Sequence, residues 1–212
     1  MKTTHIIWDF NGTIINDLPL SFSSINTVLS RRNIKILENF DAYRSVFCMP
    51  IITYYEKIGL DFSKEPYKIP ADEWVELYQR GTATIPLTDG IIETLDAIKN
   101  NNIPQYVLSA SEKNMLTEQL EHYNLTTYFD EILGTGDVYG GGKIEIAKKW
   151  AESKNISLRD AIYVGDTEHD YETAVTLGCR CVLFSGGHMS KERLLAYNVP
   201  VIDSISELIT FI

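Results

Sequence analysis

The sequence has few cysteines and no spacing that would bind a metal through thiolates. Its three cysteines are Cys48, Cys179 and Cys181. An odd, sparse set of this kind argues against a disulfide framework and is typical of proteins kept in a reducing compartment. We therefore expect three free thiols.

The sequence also lacks an excess of positive charge. Its 19 lysines and arginines are outnumbered by 29 aspartates and glutamates, which gives a net charge of -10 at pH 7. A chain with this charge balance and no basic cluster lacks the positive surface that binds the phosphate backbone of nucleic acids without base specificity. We therefore expect no nucleic acid partner.

Long apolar runs are missing as well. Residues 1–9 contain one lysine and an apolar stretch too short for a secretory signal, and no later segment approaches the length of a membrane span. Internal repeats and low-complexity segments are also absent. We expect a cytoplasmic protein without a membrane partner, present as a monomer or a weak homodimer.

What the sequence does contain is an alternation of short apolar runs and amphipathic segments. The runs are short enough for buried strands, and they lie at residues 6–8, 105–108, 132–133, 161–164 and 181–184. The segments between them, such as the one carrying Met115, Leu116 and Leu120, have the spacing of amphipathic helices. This alternation predicts a doubly wound, Rossmann-like α/β fold with a parallel sheet covered on both faces.

The alternation breaks between residues 16 and 85. Helical patterns such as Ile25, Val28 and Leu29 recur there, and no strand run is convincing. We predict that residues 16–85 form a small helical cap, inserted into an α/β core made of residues 1–15 and 86–212.

Polar side chains close three of the predicted strands. These side chains are Asp9, Ser109 and Asp166. In doubly wound sheets, ligands bind in the crevice beyond the carboxyl ends of the strands. Three oxygen-bearing side chains at one edge are a stronger signal than any one of them alone, so we expect a single functional site there.

The first motif, residues 9–13, reads Asp-Phe-Asn-Gly-Thr. Its glycine-containing turn would leave backbone N–H groups free to meet an anion, and the carboxylate of Asp9 could act as a nucleophile. Taken alone, an aspartate that ends a strand and caps the next turn is the better interpretation. The motifs that follow reverse that preference.

The second and third motifs contain a hydroxyl and an ammonium group. Ser109 could hold phosphate oxygens, although this segment could equally be a helix N-cap, a role that suits Ser111 with Asn114 nearby. Lys143 follows the glycines at 140–142 and begins a helical pattern, a position that the helix dipole disfavours. That placement favours an ammonium that faces phosphate or carboxylate oxygens over a solvated surface lysine.

The fourth motif, residues 165–170, contains two carboxylates four residues apart, Asp166 and Asp170. Carboxylates clustered near a phosphate attract Mg²⁺, a hard cation that prefers oxygen ligands. The same spacing could be a helix-capping pattern. His169 is expected to be a solvent-facing helix residue, because imidazole is a poor Mg²⁺ ligand.

In this order, the four motifs resemble those of the haloacid dehalogenase superfamily: Asp-x-x-Gly-Thr, a strand-terminal Ser, a later Lys, and Gly-Asp-x-x-x-Asp. The predicted helical insertion resembles the small cap of the phosphoglycolate phosphatase and β-phosphoglucomutase branch. The resemblance implies a Mg²⁺-dependent phosphatase that acts on a small phosphorylated metabolite through an aspartyl-phosphate on Asp9.

The resemblance also implies roles for individual residues. Asp9, Asn11 and Lys143 occupy catalytic positions, and Asp170 would steady Lys143 or a metal-bound water. The positions implied for substrate binding are Thr13, Ser109, Ala110 and Lys143, and those implied for Mg²⁺ are Asp9, the carbonyl of Asn11, Asp166 and Asp170.

Asn11 departs from the family pattern. The family's phosphatases carry an aspartate at this position as general acid and base, and an amide can neither give nor take that proton at neutral pH. We expect slowed hydrolysis, or another proton carrier such as His188. A mutase-like phosphoryl transferase and a catalytically weak phospho-metabolite-binding protein are the alternatives. In the cap, Arg44 or the turn at 48–50 could face the leaving group, although Arg44 is equally well explained as a surface charge.

Overall fold

The computed structural model describes residues 2–136, 143–154 and 157–212. Within these ranges, six strands form one parallel sheet in the order β3-β2-β1-β4-β5-β6. The strands are β1 (Ile6–Trp8), β2 (Gln105–Glu112), β3 (Glu131–Thr135), β4 (Ile162–Gly165), β5 (Arg180–Phe184) and β6 (Val201–Ile202). The predicted doubly wound α/β fold is confirmed.

The α-helices in the described ranges flank this sheet or lie between β1 and β2. They are α1 (Leu18–Arg31), α2 (Phe40–Val46), α3 (Ile51–Lys57), α4 (Lys68–Gly81), α5 (Ile91–Asn100), α6 (Lys113–His122), α7 (Lys143–Lys154), α8 (Glu168–Leu177) and α9 (Lys191–Leu195). None of these helices combines the length and the apolar character needed to cross a bilayer.

Strand β1 shows why the predicted strands are continuous apolar runs. Ile6 and Trp8 are fully buried in one apolar cluster, and Ile7 between them is fully buried in another. Successive side chains of a strand point to opposite faces of the sheet, so a strand covered on both faces needs apolar residues at every position. β1 is central in the sheet, between β2 and β4.

Helices α1 to α4 share a third apolar cluster of their own. It contains Val28 and Leu29 from α1, Tyr43 from α2, Tyr54 from α3 and Ala71 from α4. The two connections to the rest of the chain run side by side, because the Asn16 N–H donates to the Pro86 carbonyl over 2.9 Å. We refer to residues 16–85 as the helical segment.

The end of β2 differs from expectation. The strand continues to Glu112, with a register irregularity between Leu108 and Glu112 in its pairing with β3. Glu112 is the N-cap of α6, and its carboxylate accepts hydrogen bonds from the N–H groups of Asn114 and Met115. The expected Ser111 cap is therefore wrong, because the longer carboxylate of Glu112 reaches both N–H groups while the Ser111 hydroxyl donates to Asn11.

Candidate active site

Three carboxylates meet at the carboxyl edge of the sheet. Trp8 of β1 pairs with Val164 of β4. Asp9 and Asp166 follow these two residues and therefore lie next to each other. Asp170 joins them from the first turn of α8. All three side chains are buried, and each offers an oxygen within 4.8 Å of the oxygens of the other two.

Lys143 is buried against these carboxylates, although it is the first residue of α7. Its ammonium group is paired with Asp9 Oδ1 and lies 2.6 Å from Asp170 Oδ1. The alternative of a solvated surface lysine is therefore wrong. The preceding glycines at 140–142 lie outside the described residues.

Asp170 both pairs with Lys143 and caps the start of α8. One oxygen, Oδ1, is paired with Lys143, and the other, Oδ2, accepts from the N–H groups of Asp166 and Thr167 at 3.0 and 2.9 Å. Oδ2 also accepts from the Thr167 hydroxyl, and the Thr167 N–H bond to Asp170 is one half of a capping box at the start of α8. The helix cap thus orients the carboxylate that holds Lys143.

The electrostatics of this cluster indicate a shortage of positive charge. Burial acts to lower the pKa of Lys143, but Asp170 and Asp9 outweigh it and raise that pKa well above its usual range. Burial raises the pKa of Asp166 to about 7, with Asp170 adding to the effect, and it raises the pKa of Asp9 well above its usual value despite Lys143. The three buried carboxylates form an oxygen-only donor set that fits a hard divalent cation, and the single ammonium leaves part of their negative charge unbalanced.

Asn11 is held by hydrogen bonds on both ends of its amide. Nδ2 lies 3.1 Å from Asp17 Oδ2 and 2.8 Å from the hydroxyl of Tyr78, and Oδ1 accepts from the Ser111 hydroxyl over 2.8 Å. These partners come from α4, β2 and the connection before α1. The side chain at the expected acid/base position is therefore fixed as an amide donor to a carboxylate.

Asp17 and His188 form a second buried charged group beside this site. His188 Nε2 lies 3.0 Å from Asp17 Oδ1, and His188 Nδ1 lies 3.0 Å from the Tyr43 hydroxyl. Burial disfavours the imidazolium, but Asp17 outweighs it and raises the pKa of His188 to about 9. Both ring nitrogens are engaged, so His188 as placed here holds Asp17 and Tyr43 together.

Two glycines allow the chain to close tightly around Asp166. Gly12 has a φ of +71°, a conformation that residues with a side chain rarely adopt. A Cβ atom at Gly12 or at Gly187 would collide with Asp166 Oδ2. The same oxygen accepts the His188 N–H over 2.5 Å. The glycines in both turns are therefore needed to enclose this carboxylate.

Of the positions expected to bind substrate, Ser109 and Ala110 line a cavity, whereas Thr13 is buried beside Asp166. The cavity lies above Asp9 and Lys143, and Ser109 Oγ accepts from the Ser111 N–H over 3.1 Å. Thr13 is buried with its hydroxyl 3.4 Å from Asp166 Oδ1. Their roles toward a substrate stay predictions.

Two further expectations are corrected by the structure. Arg44 does not protrude as a surface charge, because its guanidinium donates to the carbonyls of Gly187 and Gly186, both over 2.8 Å. His169 is half-buried on the wall of the cavity, and burial together with Lys143 lowers its pKa. Of the turn at 48–50, Met49 lines the cavity.

The sequence pattern predicts no role for Asp17, Tyr78 or Tyr43, and it suggests His188 only as a proton carrier. Asp17 has the local appearance of a residue that precedes a helix, and Tyr43 and Tyr78 have that of core aromatics. Two glycines precede His188 shortly after the end of β5. They are the local signal that could have indicated a tight turn there, with His188 at the carboxyl edge of the sheet.

Most of the chain matches the model of a known protein family. The family model described as haloacid dehalogenase-like hydrolase matches residues 6–184, which include all four motifs. The chain belongs to the haloacid dehalogenase-like hydrolase family. The resemblance inferred from the four motifs is thereby confirmed, and the protein is a hydrolase by family.

Curated relatives of this hydrolase carry the name phosphoglycolate phosphatase. One from Pseudomonas aeruginosa, phosphoglycolate phosphatase 1, is 27% identical, with 96% of this chain and 78% of the relative aligned. Another from Rhodobacter capsulatus is 25% identical, with 86% and 84% aligned.

Solved structures show the same fold. A predicted phosphatase from Clostridium acetobutylicum superposes with a TM-score of 0.82 at 22% identity, covering 98% of this chain and 97% of that one. A haloacid dehalogenase-like hydrolase from Streptococcus pneumoniae superposes with a TM-score of 0.83 at 17% identity, covering 99% and 98%.

Proposed function

We propose that this hydrolase is a Mg²⁺-dependent phosphatase that acts on small phosphate monoesters through an aspartyl-phosphate on Asp9. The observation that carries the proposal is the buried group formed by Asp9, Lys143, Asp166 and Asp170 at the carboxyl edge of the sheet. The names of the curated relatives support the same reaction class.

The carboxylates of Asp9 and Asp166, with the carbonyl of Asn11, would hold the Mg²⁺ ion. Asp170 would act on the ion indirectly, because its Oδ1 is paired with the Lys143 ammonium and its Oδ2 already accepts three hydrogen bonds. When bound, the metal supplies a Lewis acid that offsets negative charge on the phosphoryl oxygens. The raised pKa values of Asp9 and Asp166 support this assignment, because burial is the main cause of both shifts and a bound cation would stabilise the buried carboxylates.

In the first step, an oxygen of Asp9 forms a bond to phosphorus while the bond from phosphorus to the ester oxygen breaks. The Lys143 ammonium lies where it can neutralise phosphoryl oxygens next to Asp9, and Ser109 and Ala110 would orient them. In the second step, water attacks the aspartyl-phosphate, releases inorganic phosphate and restores the Asp9 carboxylate. Splitting the reaction in this way replaces one difficult displacement by two easier ones.

Asn11 cannot assist the departure of the ester oxygen in the first step. Its amide has no proton to give, so the leaving group departs as an anion or takes its proton from solvent. Positioned acid or base catalysis contributes on the order of 10² to 10⁴ in rate. We therefore infer slow turnover of alkyl phosphates and a build-up of the aspartyl-phosphate, whose hydrolysis also lacks a positioned base.

The test is a rapid-quench experiment with Mg²⁺ and phenyl phosphate, in which released phenol and inorganic phosphate are followed separately. We expect a burst of phenol equal to the enzyme concentration, followed by slower release of phosphate, and phosphate attached to Asp9 in acid-quenched protein. The matched control is Asp9→Asn, which keeps the shape of the side chain and should give neither a burst nor labelled protein.

Other outcomes separate the alternatives. Phosphate that appears on an added alcohol in place of water would identify a phosphoryl transferase. Saturable binding of phosphate esters with no labelled Asp9 would reject catalysis and favour a binding protein.

A further inference from the structure

The cavity above Asp9 has two unlike sides. One side is formed by the charged residues at the carboxyl edge of the sheet, including Asp9, Lys143 and Asp170. Most of the lining that the helical segment contributes is apolar, although Asp17 and Ser21 also belong to it. Its half-buried wall residues are Phe47, Met49, Ile51, Tyr67, Trp74 and Val75.

Aromatic rings on this wall are held by neighbouring rings. Phe47 stacks on His188 with centroids 5.0 Å apart, and Trp74 stacks on Tyr78 with centroids 4.8 Å apart. His188 and Tyr78 are themselves anchored to Asp17. A leaving group that extends from a phosphate on Asp9 would therefore meet flat, ordered apolar surfaces.

The helical segment offers no cation to this cavity among the described residues. Its eight lysines and arginines are Arg31, Arg32, Lys35, Arg44, Lys57, Lys64, Lys68 and Arg80, and none of them lines the cavity. Seven are paired with oxygens: Arg44 with the carbonyls of Gly186 and Gly187, and the others with Glu73, Glu65, Glu38, Asp61, Asp72 or Glu76. Lys57 lies 3.1 Å from Cys48 Sγ.

The basic residues that do line the cavity already face carboxylates. Lys143 is held by Asp9 and Asp170 and His188 by Asp17, and His169 Nδ1 lies 3.5 Å from Glu172 Oε2. By sequence, residues 137–142 and 155–156 contain no Lys, Arg or His. A carboxylate on the leaving group would thus be buried without a free partner, which is strongly unfavourable.

We propose that the hydrolysis described above serves phosphate monoesters of uncharged phenols, and that carboxylate-bearing esters such as phosphoglycolate are poor substrates. The aromatic wall that contains Phe47 and Trp74 takes the ring. Asn11 agrees with this class, because a phenol gives up its proton near pH 10 and leaves as the anion without an acid catalyst.

The test compares esters that share a ring and differ in charge. With Mg²⁺ present, kcat/KM is measured for 4-(hydroxymethyl)phenyl phosphate, 4-carboxyphenyl phosphate, phenyl phosphate and phosphoglycolate. We expect the hydroxymethyl ester to exceed both carboxylates by at least about tenfold, the effect of one unpaired buried charge at 1.4 kcal/mol or more.

Two neighbouring isoleucines supply a matched pair of variants. Ile51 lines the cavity, whereas Ile52 is 39% exposed and lies outside it. Ile51→Lys should raise the rate on 4-carboxyphenyl phosphate relative to the neutral ester about tenfold. Ile52→Lys adds the same charge to the surface and should leave the ratio unchanged.

The outcomes are separable. A preference of the unmodified protein for phosphoglycolate or 4-carboxyphenyl phosphate overturns this substrate class while the phosphatase reaction stands. An equal change of the ratio in both lysine variants also overturns it. Failure of every ester to label Asp9 rejects the phosphatase reaction itself.

Discussion

Asn11 shows how one side chain can be understood only with its neighbours. Its amide nitrogen lies against the carboxylate of Asp17, whose Oδ1 also accepts the Gly12 N–H over 2.7 Å. Burial acts to raise the pKa of Asp17, but His188 and the hydrogen bonds from Tyr78 and Asn11 outweigh it and lower that pKa. An amide fits this position because it can donate to an ionised neighbour, which a carboxylate cannot do.

We predict that Asn11→Asp raises kcat on alkyl phosphates by about 10²-fold, since it restores a group that can carry a proton. The new carboxylate faces Asp17, so its pKa in the folded state should rise above the unfolded value of about 3.9. A raised carboxylate pKa lowers stability as the pH rises above the unfolded value. The melting temperature should therefore fall further below that of the parent at pH 8 than at pH 5.

The control for this substitution is Asn11→Ala, which loses the same hydrogen bonds without adding charge. It should lower the melting temperature by a similar amount at both pH values and leave alkyl phosphate turnover low. Unchanged or reduced alkyl phosphate turnover in the Asn11→Asp protein would show that the missing acid does not limit the reaction.

Helix α2 is joined to the loop after β5 by two arginines. Arg44 of α2 donates to the carbonyls of Gly186 and Gly187. In return, Arg193 of α9 donates to the carbonyls of Arg44 and Phe47 at the end of α2, at 3.0 and 2.6 Å. The loop also carries His188, whose N–H binds Asp166. The position of α2 is thus coupled to the carboxylate cluster through one short loop.

We predict that Arg44→Ala lowers the free energy of unfolding by about 1.5–3 kcal/mol, because it leaves two carbonyls without their charged donor. It should also raise KM for phosphate esters, since Phe47 of the cavity wall follows the same helix. Chemical denaturation and steady-state kinetics measure the two effects.

Arg31→Ala is the charge-matched control for Arg44→Ala. Arg31 lies on the helical segment, but its side chain is 56% exposed and pairs with Glu73. Exposed ion pairs contribute about 0–1 kcal/mol, so stability and KM should change little. Similar losses from both substitutions would mean that the Arg44 contacts have no special role.

The whole molecule is needed to assemble the carboxylate cluster. Asp9 and Asp166 are neighbours because β1 and β4 pair in the centre of the sheet, although most of the chain lies between them. The negative net charge of the protein adds to their mutual repulsion. Binding of a cation at this site is therefore linked to folding of the entire domain.

We predict that Mg²⁺ raises the melting temperature at pH 8, and that Asp166→Asn abolishes this shift. The pKa of Asp166 is raised from 3.8 to about 7, so its ionisation opposes folding above pH 3.8 and does so fully above pH 7. Without metal, Asp166→Asn should accordingly be more stable than the parent at pH 8, by at most about 4 kcal/mol. This gain should vanish below pH 4.

Asp41→Asn is the control for the metal experiment, because it removes an exposed carboxylate from α2. It should keep the full Mg²⁺ shift. An Asp166→Asn protein that keeps an unchanged Mg²⁺ shift would reject Asp166 as a metal ligand.

Local patterns were sufficient for most of the sheet and for the position of the charged cluster. The run at residues 6–8 and the carboxylate after it need only the alternation of apolar strands and helices. β6 was missed because Val201 and Ile202 are too short to show a period. The extension of β2 to Glu112 was missed because the irregular pairing after Leu108 has no counterpart in the residue pattern.

The sequence by itself determined five of the six strands and that Asp9, Ser109 and Asp166 come near one edge, because burial periodicity and strand ends are local properties. Only the tertiary structure decided that Tyr78 and Ser111 hold Asn11 in place and that His188 holds Asp17, since these contacts join segments far apart in the chain. It also decided that the helical segment turns its cations away from the cavity. Which face of a helix meets the site depends on how the helix packs against other segments. The hydrophobic periodicity of a single segment does not specify that packing.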